Sequence, residues 1–171
     1  MITIYQNAPK LIKNLLLAAV ILPAISFAKP VFEMKNPKGE TITLRLATTR
    51  EEHSRGLSGT KPSEFSTKEG MLFVNETMGT RRFWMPETLF NLDIIFLDSN
   101  LKIVGIEKNV PMHPGKTEPP AIYRTKTYQA QFILETKAQA SFSKNLKNGD
   151  ELKFSGPSSL SEIVLKTRQQ Q

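Results

Sequence analysis

Cysteine is absent from all 171 residues of the chain. Its absence excludes a thiol nucleophile, a thiolate zinc site, an iron–sulfur cluster and a lipid-modified cysteine anchor. Disulfides are excluded as well, so the fold must rest on its hydrophobic core. Histidine is scarce, because only His53 and His113 occur, and two residues so far apart make a poor metal site. We therefore expect neither a metal nor a cofactor.

The short motifs of common hydrolases are also missing. The chain has no G-x-S-x-G nucleophile elbow and no H-E-x-x-H metalloprotease helix. An enzyme built on this sequence would have to use carboxylates, lysines or hydroxyls. We assign no catalytic residue, and the interpretation leans away from an enzyme. A cofactor-independent hydrolase that acts on envelope material through Asp93 and nearby arginines remains the alternative.

Long apolar runs are missing too. The run from Leu15 to Leu22 follows Lys10 and Lys13, and it is far shorter than the ~20 residues of a membrane-spanning helix. Ser26-Phe27-Ala28 places small residues at the two positions that a signal peptidase recognises. The pattern predicts a signal peptide over residues 1–28 that is cleaved after Ala28. We expect a periplasmic or secreted protein with no membrane insertion after cleavage.

Basic residues exceed acidic ones, which gives the chain a formal net charge of +7. The positive charges are spread along the sequence and do not form a basic stripe interleaved with aromatic residues. Such a stripe is typical of nucleic-acid binding, so we expect no nucleic-acid partner. We expect a monomer that binds an unknown small ligand or envelope component.

Alternating apolar and polar residues predict several short strands. Val31–Met34 and Thr41–Ala47 form one predicted hairpin, and Leu92–Asp98 and Leu101–Val110 form the clearest one. The remaining predicted strands are Gly70–Val74, Arg81–Met85, Gln131–Thr136 and Glu151–Phe154. The pattern indicates an α+β fold that is β-rich, with a mostly antiparallel, partly closed sheet or small barrel and two short helices.

Capping signals place the two helices. Thr48 and Thr49 are each followed three residues later by a glutamate, which predicts a helix ending near Gly56, with His53 on its exposed face. The second predicted helix spans Ala138–Leu146. Residues 29–155 are expected to form a single domain, and residues 156–171 a polar C-terminal tail. Within that tail, Ile163–Leu165 is either an edge strand or frayed.

Asp93 is a charged residue inside an apolar strand, where an unpaired carboxylate is costly. Strand alternation places it on one face with Ile95 and Leu97. It either accepts hydrogen bonds from backbone amides or Thr88, or acts as a general base or ligand acceptor. Its burial is expected to come with an arginine or several amides as partners.

Two other residues, Trp84 and Arg55, have both a structural and a functional interpretation. Trp84 is either a core anchor or a platform for a sugar ring or a cation. Arg55 either stabilises a helix C-terminus or reaches a buried carboxylate or an anionic ligand. The structural interpretation is preferred in both cases.

Several short segments occur in a characteristic order. They are Thr49–Leu57, Gly70–Val74, Phe83–Met85, Thr88-Leu89, Leu92–Ile94, Asn109–Pro111, Ile133–Glu135 and Gly149-Asp150. This succession resembles the uncharacterised ACR family, known as domain of unknown function 192, from Val31 to Phe154. The resemblance implies a compact β-rich domain, frequently exported in bacteria, with no established activity.

The sequence departs from this family pattern at two places. Many relatives carry a cysteine pair followed by a proline and a tyrosine. This chain has Met112–Lys116 at the place of the cysteine pair, and of the residues that follow the pair only the tyrosine remains, as Tyr123. Relatives usually have glycine at the position of Gln139. Because the cysteines are missing, a redox or metal role that the Met112–Lys116 loop has in relatives does not transfer to this chain.

The preferred hypothesis is a binding or interaction module. Loops on a rigid scaffold concentrate binding residues, so we expect a groove between the proline-rich loop Pro111–Pro120 and the segment Arg81–Thr88. Such a groove would suit an anionic or hydroxyl-rich ligand. The candidate ligand-binding residues are Arg55, Arg81, Trp84, Thr88, Asp93 and Tyr123.

Overall fold

The computed structural model describes residues 31–170, so the predicted signal peptide lies outside the described residues. These residues form a β-rich α+β fold, as the sequence predicts. The strands are β1 Phe32–Lys35, β2 Thr41–Ala47, β3 Glu69–Arg81, β4 Leu92–Leu97, β5 Ile103–Val110, β6 Tyr128–Lys137 and β7 Lys153–Ser155. The helices are α1 Arg50–Arg55, α2 Ser141–Lys144 and α3 Leu160–Gln170, and a short 3-10 turn spans Pro62–Glu64.

The described strands form one seven-stranded sheet in the order β5-β4-β6-β3-β2-β1-β7. Neighbouring strands are antiparallel except β2 and β3, which are parallel. A parallel pair needs a crossover connection, and here the crossover contains α1 and the 3-10 turn. The sheet does not close into a barrel.

Capping residues fix both ends of α1. The Thr49 hydroxyl accepts a hydrogen bond from the Glu52 amide at 3.2 Å, and the Glu52 carboxylate accepts one from the Thr49 amide at 3.0 Å. This reciprocal pair is the predicted capping box, and only the Thr49 box forms. Gly56 ends the helix with a φ of 48°, a conformation that glycine adopts easily. Caps at both ends therefore fix the position of α1, including His53 and Arg55 in its last turn.

The long strand β3 corrects one expectation. The sequence predicts two strands, Gly70–Val74 and Arg81–Met85, whereas the structure has a single strand that ends at Arg81. An irregularity between Val74 and Gly79 interrupts its pairing with β6, and the register resumes beyond it. Gly79 therefore lies within a bulged strand and not in a linker. The chain leaves the sheet after Arg81.

Each face of the sheet carries its own apolar cluster. On the first face, α2 and α3 pack over the inner strands, with Phe142 and Ile163 among the buried residues. On the second face, Leu57, Phe65 and Met85 come from the crossover and from the segment after β3. Asp93 lies with Ile95 on the first face, which confirms the predicted strand parity.

The C-terminal segment is a helix, so neither an edge strand nor a frayed tail forms there. Ser159 and Glu162 form a capping box, because the Ser159 amide donates to the Glu162 carboxylate at 2.7 Å and the Glu162 amide donates to the Ser159 hydroxyl at 3.3 Å. Ile163 and Thr167 are buried on one side of α3, which packs against β3. The predicted helix over Ala138–Leu146 is shorter than expected and reduces to α2.

None of the helices among residues 31–170 is both long enough and apolar enough to span a membrane.

Candidate functional site

A cavity of about 300 Å³ opens on the second face of the sheet, between α1 and strands β3 and β6. The segment after β3 forms its third wall. Because three arginines line it, we call it the arginine cavity. Its lining residues are His53–Ser58, Phe73, Asn75, Thr80–Trp84, Pro86, Thr88, Ile133 and Glu135. Four of the predicted site residues are among them, namely Arg55, Arg81, Trp84 and Thr88.

The arginines Arg55, Arg81 and Arg82 give the cavity its positive charge. Two of the guanidinium nitrogens of Arg81 are bound to backbone carbonyls, because Nε donates to Ala130 at 3.3 Å and Nη2 donates to Thr77 at 2.9 Å. Partial burial lowers the pKa of Arg81, although an arginine stays charged at physiological pH. Among the described residues, no carboxylate forms a salt bridge with any of the three arginines. Their charge is therefore available to an anion.

Among residues 31–170, Glu135 is the only one that contributes a carboxylate to the wall of the arginine cavity. It projects from β6 between Met71 of β3 and Ile94 of β4, and it is 4% exposed. Burial, with no hydrogen bond or nearby charge to offset it, raises the pKa of Glu135 to about 8. At neutral pH this side chain is therefore mainly a neutral acid that can donate a hydrogen bond.

Sequence reasoning missed Glu135, although the signal was present. Glu135 follows Phe132-Ile133-Leu134, so it is an acidic residue inside an apolar strand. An acidic residue in an apolar strand is also the reason that Asp93 is a candidate site residue, whereas Glu135 enters the sequence analysis only as part of the family segment Ile133–Glu135. The two acids differ in their hydrogen-bond partners, and partners that are distant in sequence become visible only in the fold.

His53 and Asn75 also line the cavity and were not predicted as site residues. His53 is half-buried, contrary to the predicted exposed position, because its ring packs edge-on against Phe73 and its Nε2 lies 3.0 Å from the Ala47 carbonyl oxygen. Burial lowers the pKa of His53, so the ring is mainly neutral. The Asn75 amide group donates to the Gln131 carbonyl at 2.9 Å, which leaves its side-chain oxygen for another donor.

Trp84 stands at the mouth of the cavity and is 55% exposed. The preferred expectation of a core anchor is therefore wrong. The reason is that the chain leaves the sheet after Arg81, so that only an isolated bridge to Arg124 holds Trp84. The neighbouring Met85 takes the buried position instead.

The proline-rich loop lies beside the segment Arg81–Thr88, as predicted. Gly115 accepts a hydrogen bond from the Glu87 amide at 2.8 Å, and Thr88 accepts one from the His113 amide at 2.9 Å. The loop nevertheless contributes only Lys116, and only to a second, more open cavity that shares Arg55 and Trp84 with the first. The wall opposite the segment Arg81–Thr88 is α1. The expected groove therefore exists, but α1 and not the proline-rich loop forms its second side.

Asp93 lies on the opposite face of the sheet and does not line the arginine cavity. It is 3% exposed and accepts hydrogen bonds from the Asn109 amide at 2.8 Å and the Ser143 hydroxyl at 2.6 Å. The Lys108 ammonium nitrogen lies 3.4 Å from the Asp93 carboxylate. The partners are thus one backbone amide, one hydroxyl and a lysine, and not the arginine or the several amides that the sequence led us to expect. Thr88 is not a partner. Asp93 therefore ties α2 to the β4–β5 hairpin.

Tyr123 is also separate from the cavity. Its hydroxyl donates to the Glu107 carboxylate at 3.1 Å, and the Tyr128 hydroxyl donates to the same carboxylate at 2.9 Å. Burial and this carboxylate raise the pKa of Tyr128 to about 12. The Glu107 carboxylate also accepts from the Lys126 amide at 3.0 Å. Tyr123 thus belongs to a hydrogen-bonded cluster that holds the start of β6.

The two histidines do not form a metal site with acidic residues. His113 is buried and lies 2.8 Å from the carbonyl oxygens of both Gly115 and Pro120. Among residues 31–170, no three histidine, aspartate or glutamate side chains are grouped so that they could hold a metal ion.

The family model for the uncharacterised ACR proteins, domain of unknown function 192, matches residues 32–154. The chain belongs to this family. The match covers every strand but the last residue of β7, and it includes all residues of the arginine cavity. Membership in the uncharacterised ACR family fixes the fold and assigns no reaction.

Two solved structures are similar to this member of the uncharacterised ACR family. One, from Sinorhizobium meliloti, is provisionally described as a transcription regulator; it has 25% identity and a TM-score of 0.58, and the match covers 76% of this chain and 96% of that one. The other is a protein of unknown function from Novosphingobium aromaticivorans with 23% identity and a TM-score of 0.58, and the match covers 76% of this chain and 89% of that one. No curated protein shows significant similarity to the chain.

Proposed function

We propose that this protein is an exported binding module that holds a small anionic or hydroxyl-rich ligand in the arginine cavity. One observation carries the proposal: Arg55, Arg81 and Arg82 line a single concave site, and none of them forms a salt bridge with a carboxylate of the described residues. Uncompensated positive charge in a cleft attracts anions and raises their local concentration.

The chemistry of the wall fits such a ligand. Guanidinium groups bind carboxylate and phosphate groups through two parallel hydrogen bonds. Trp84 offers an exposed aromatic face at the mouth, which is suited to stacking on a sugar ring or another flat group. Hydroxyl side chains of Ser54 and Thr88 add hydrogen-bonding capacity for a hydroxyl-rich molecule. The volume, about 300 Å³, lies at the small end of the range for ligand pockets.

A hydrolase that combines Asp93 with the arginines receives no support from this arrangement. Asp93 is on the other side of the sheet, and its oxygens are already engaged by Asn109 and Ser143. The cavity itself offers one carboxylate, whereas glycosidase chemistry normally uses two. A binding role therefore accounts for more of the wall than a hydrolytic role does.

The exported location forms part of the same proposal. It is supported by the apolar run Leu15–Leu22, the two preceding lysines and the small residues at Ser26 and Ala28. The regulatory role described for the Sinorhizobium meliloti protein is not extended to this chain, because the arginines here line a concave site and do not form a stripe along one face.

The proposal is tested by measuring the binding of acetate, butanoate, hexanoate, inorganic phosphate and glucose 6-phosphate to residues 29–171 by isothermal titration calorimetry. The variants Arg55→Gln and Arg82→Gln remove exposed cavity arginines that do not hold the backbone. Arg168→Gln is the matched control, because Arg168 lies on α3 and pairs with Glu76. We expect at least one anion to bind, with a loss of affinity in both cavity variants and not in the control. Equal binding by all four proteins, or no binding of any anion, would overturn the proposal.

A further inference from the structure

Glu135 is a buried acid without a partner, at the sheet wall of a cavity whose other charges are positive. A buried carboxylate is stable only if it takes up a proton, accepts hydrogen bonds or meets a cation. Its neighbours across β3 and β4, Met71 and Ile94, supply neither hydrogen bonds nor charge. The carboxyl is therefore a ready acceptor for a cationic group brought by a ligand.

We propose that the arginine cavity selects small molecules with an acid group at one end and an amine at the other, and that Glu135 receives the amine. The inference rests on the proposed function, because it assigns the acid end of the ligand to the arginines. It adds a second recognition point of opposite charge. The predicted ligand class is the amino acids in the broad chemical sense, including those whose amine and carboxylate are several carbons apart.

The depth of the two kinds of residue sets the orientation of the ligand. Arg55 and Arg82 are exposed, whereas Glu135 is almost completely buried. Among the described residues, no salt bridge joins the Glu135 carboxyl to an arginine of the cavity. A ligand that reaches both must therefore enter with its amine first and leave its acid group at the mouth.

The surrounding groups leave Glu135 as the only acid that can receive the amine. From α1, the titratable or charged residues lining the cavity are His53 and Arg55, and from β3 and the segment after it they are Arg81 and Arg82. The face of β4 turned to this side is apolar. All four groups are neutral or positive, so an ammonium group placed elsewhere in the cavity would find only neutral hydrogen-bond acceptors and no negative charge.

The proposed contact has a proton signature. When an alkylammonium ligand binds, the Glu135 carboxylic acid loses its proton to solvent and the resulting carboxylate accepts hydrogen bonds from the ammonium group. Because the free carboxyl is protonated below a pKa of about 8, binding at neutral pH releases a proton and strengthens as the pH rises. Affinity should increase roughly 50-fold from pH 6 to pH 8 if the bound carboxyl stays ionised throughout. A simple carboxylate should show no such increase.

The test compares matched pairs of probes by isothermal titration calorimetry on residues 29–171. The amino acids are glycine, 4-aminobutanoate and 6-aminohexanoate, and their partners without the amine are acetate, butanoate and hexanoate. Glu135→Gln keeps the size of the side chain and removes its charge, and Glu118→Gln, on the exposed loop, is the control. We expect at least one amino acid to bind at least about tenfold more tightly than its partner at pH 8, a gain of one power of ten in affinity. We expect Glu135→Gln alone to abolish that preference.

A second measurement keeps the test independent of how well the variant folds. Titrations of the wild-type protein at pH 7, in two buffers that lack amines and differ in ionisation enthalpy, report proton release directly. If carboxylates bind but no amino acid binds more tightly, or if binding releases no proton, this inference is wrong while the proposed function stands. If no amino acid and no carboxylate binds, this inference is wrong, and the titrations with inorganic phosphate and glucose 6-phosphate decide whether the proposed function is wrong as well.

Discussion

The unpartnered Glu135 carboxyl should make the protein lose stability as the pH rises. In the folded state burial raises its pKa from 4.5 to about 8, whereas in the unfolded chain it returns to its ordinary value. The folded protein therefore holds the proton more tightly between these two values. Because stability falls with pH wherever the folded state binds more protons, the loss begins above the unfolded pKa and levels off above the folded one.

The size of this effect follows from the two pKa values. Each unit of difference corresponds to about 1.4 kcal/mol, and the range from pH 5 to pH 8 covers about 2.6 units, so the cost over this range amounts to about 3.5 kcal/mol. This is a large share of the roughly 5–15 kcal/mol by which a domain is typically stable, about a quarter to two-thirds. Glu135→Gln replaces the acid with a neutral amide of the same size, so it should remove the pH-dependent part of the cost.

Urea unfolding of the wild type and Glu135→Gln, followed by circular dichroism at pH 5, 6, 7 and 8, measures this difference. We expect the stability of the variant relative to the wild type to rise steadily with pH. The control is Glu118→Gln, because Glu118 is an exposed loop residue paired with Arg124. If the two unfolding free energies change in parallel over this range, the Glu135 carboxyl is not buried without a partner, and the reasoning fails.

Three further outcomes are expected. Asp93→Ala should destabilise the protein by about 2–4 kcal/mol in urea unfolding, because it leaves the Asn109 amide, the Ser143 hydroxyl and Lys108 without their acceptor; a loss below about 0.5 kcal/mol would show that the residue is solvated. Gln139→Gly should stabilise by about 1 kcal/mol, because Gln139 has a φ of 65° that glycine adopts without strain; no gain would mean that the side chain offsets the strain. N-terminal sequencing of the exported protein should give Lys29, and a membrane-bound product that begins at Met1 would contradict this.

Local sequence patterns predicted those elements whose signals lie within a few residues. The hairpin of β4 and β5 follows from alternation on both sides of a short turn, and the α1 helix follows from its Thr49 capping box. The same kind of signal was available for α3, where Ser159 and Glu162 form a second box. The polar composition around this box masks the signal in the sequence, although Ile163 supplies the buried contact that holds the helix to the sheet.

The predictions that were wrong concern features that depend on contacts distant in sequence. The continuity of β3 through Gly79 is set by its pairing with β6, and the exposure of Trp84 follows from the point where the chain leaves the sheet. Sequence reasoning named four residues of the arginine cavity, but it expected the proline-rich loop as the opposite wall. That wall is α1, whose position is fixed by the parallel crossover from β2 to β3. Parallel connections leave little local signal, because the paired strands are separated by the whole crossover.

The position of Asp93 has a consequence for the arginine cavity on the other side of the sheet. Asp93 is paired across β4 and β6 with Thr136, the residue next to Glu135. Sliding β4 by one residue would turn all of its side chains to the opposite face, and Asp93 would then enter the apolar surroundings of Glu135. Two acids would meet there, and the Asn109 amide and the Ser143 hydroxyl would lose their acceptor. The buried hydrogen bonds of Asp93 thus favour the observed register of β4 against β6. The same register keeps Asp93 away from Glu135 on the opposite face of the sheet.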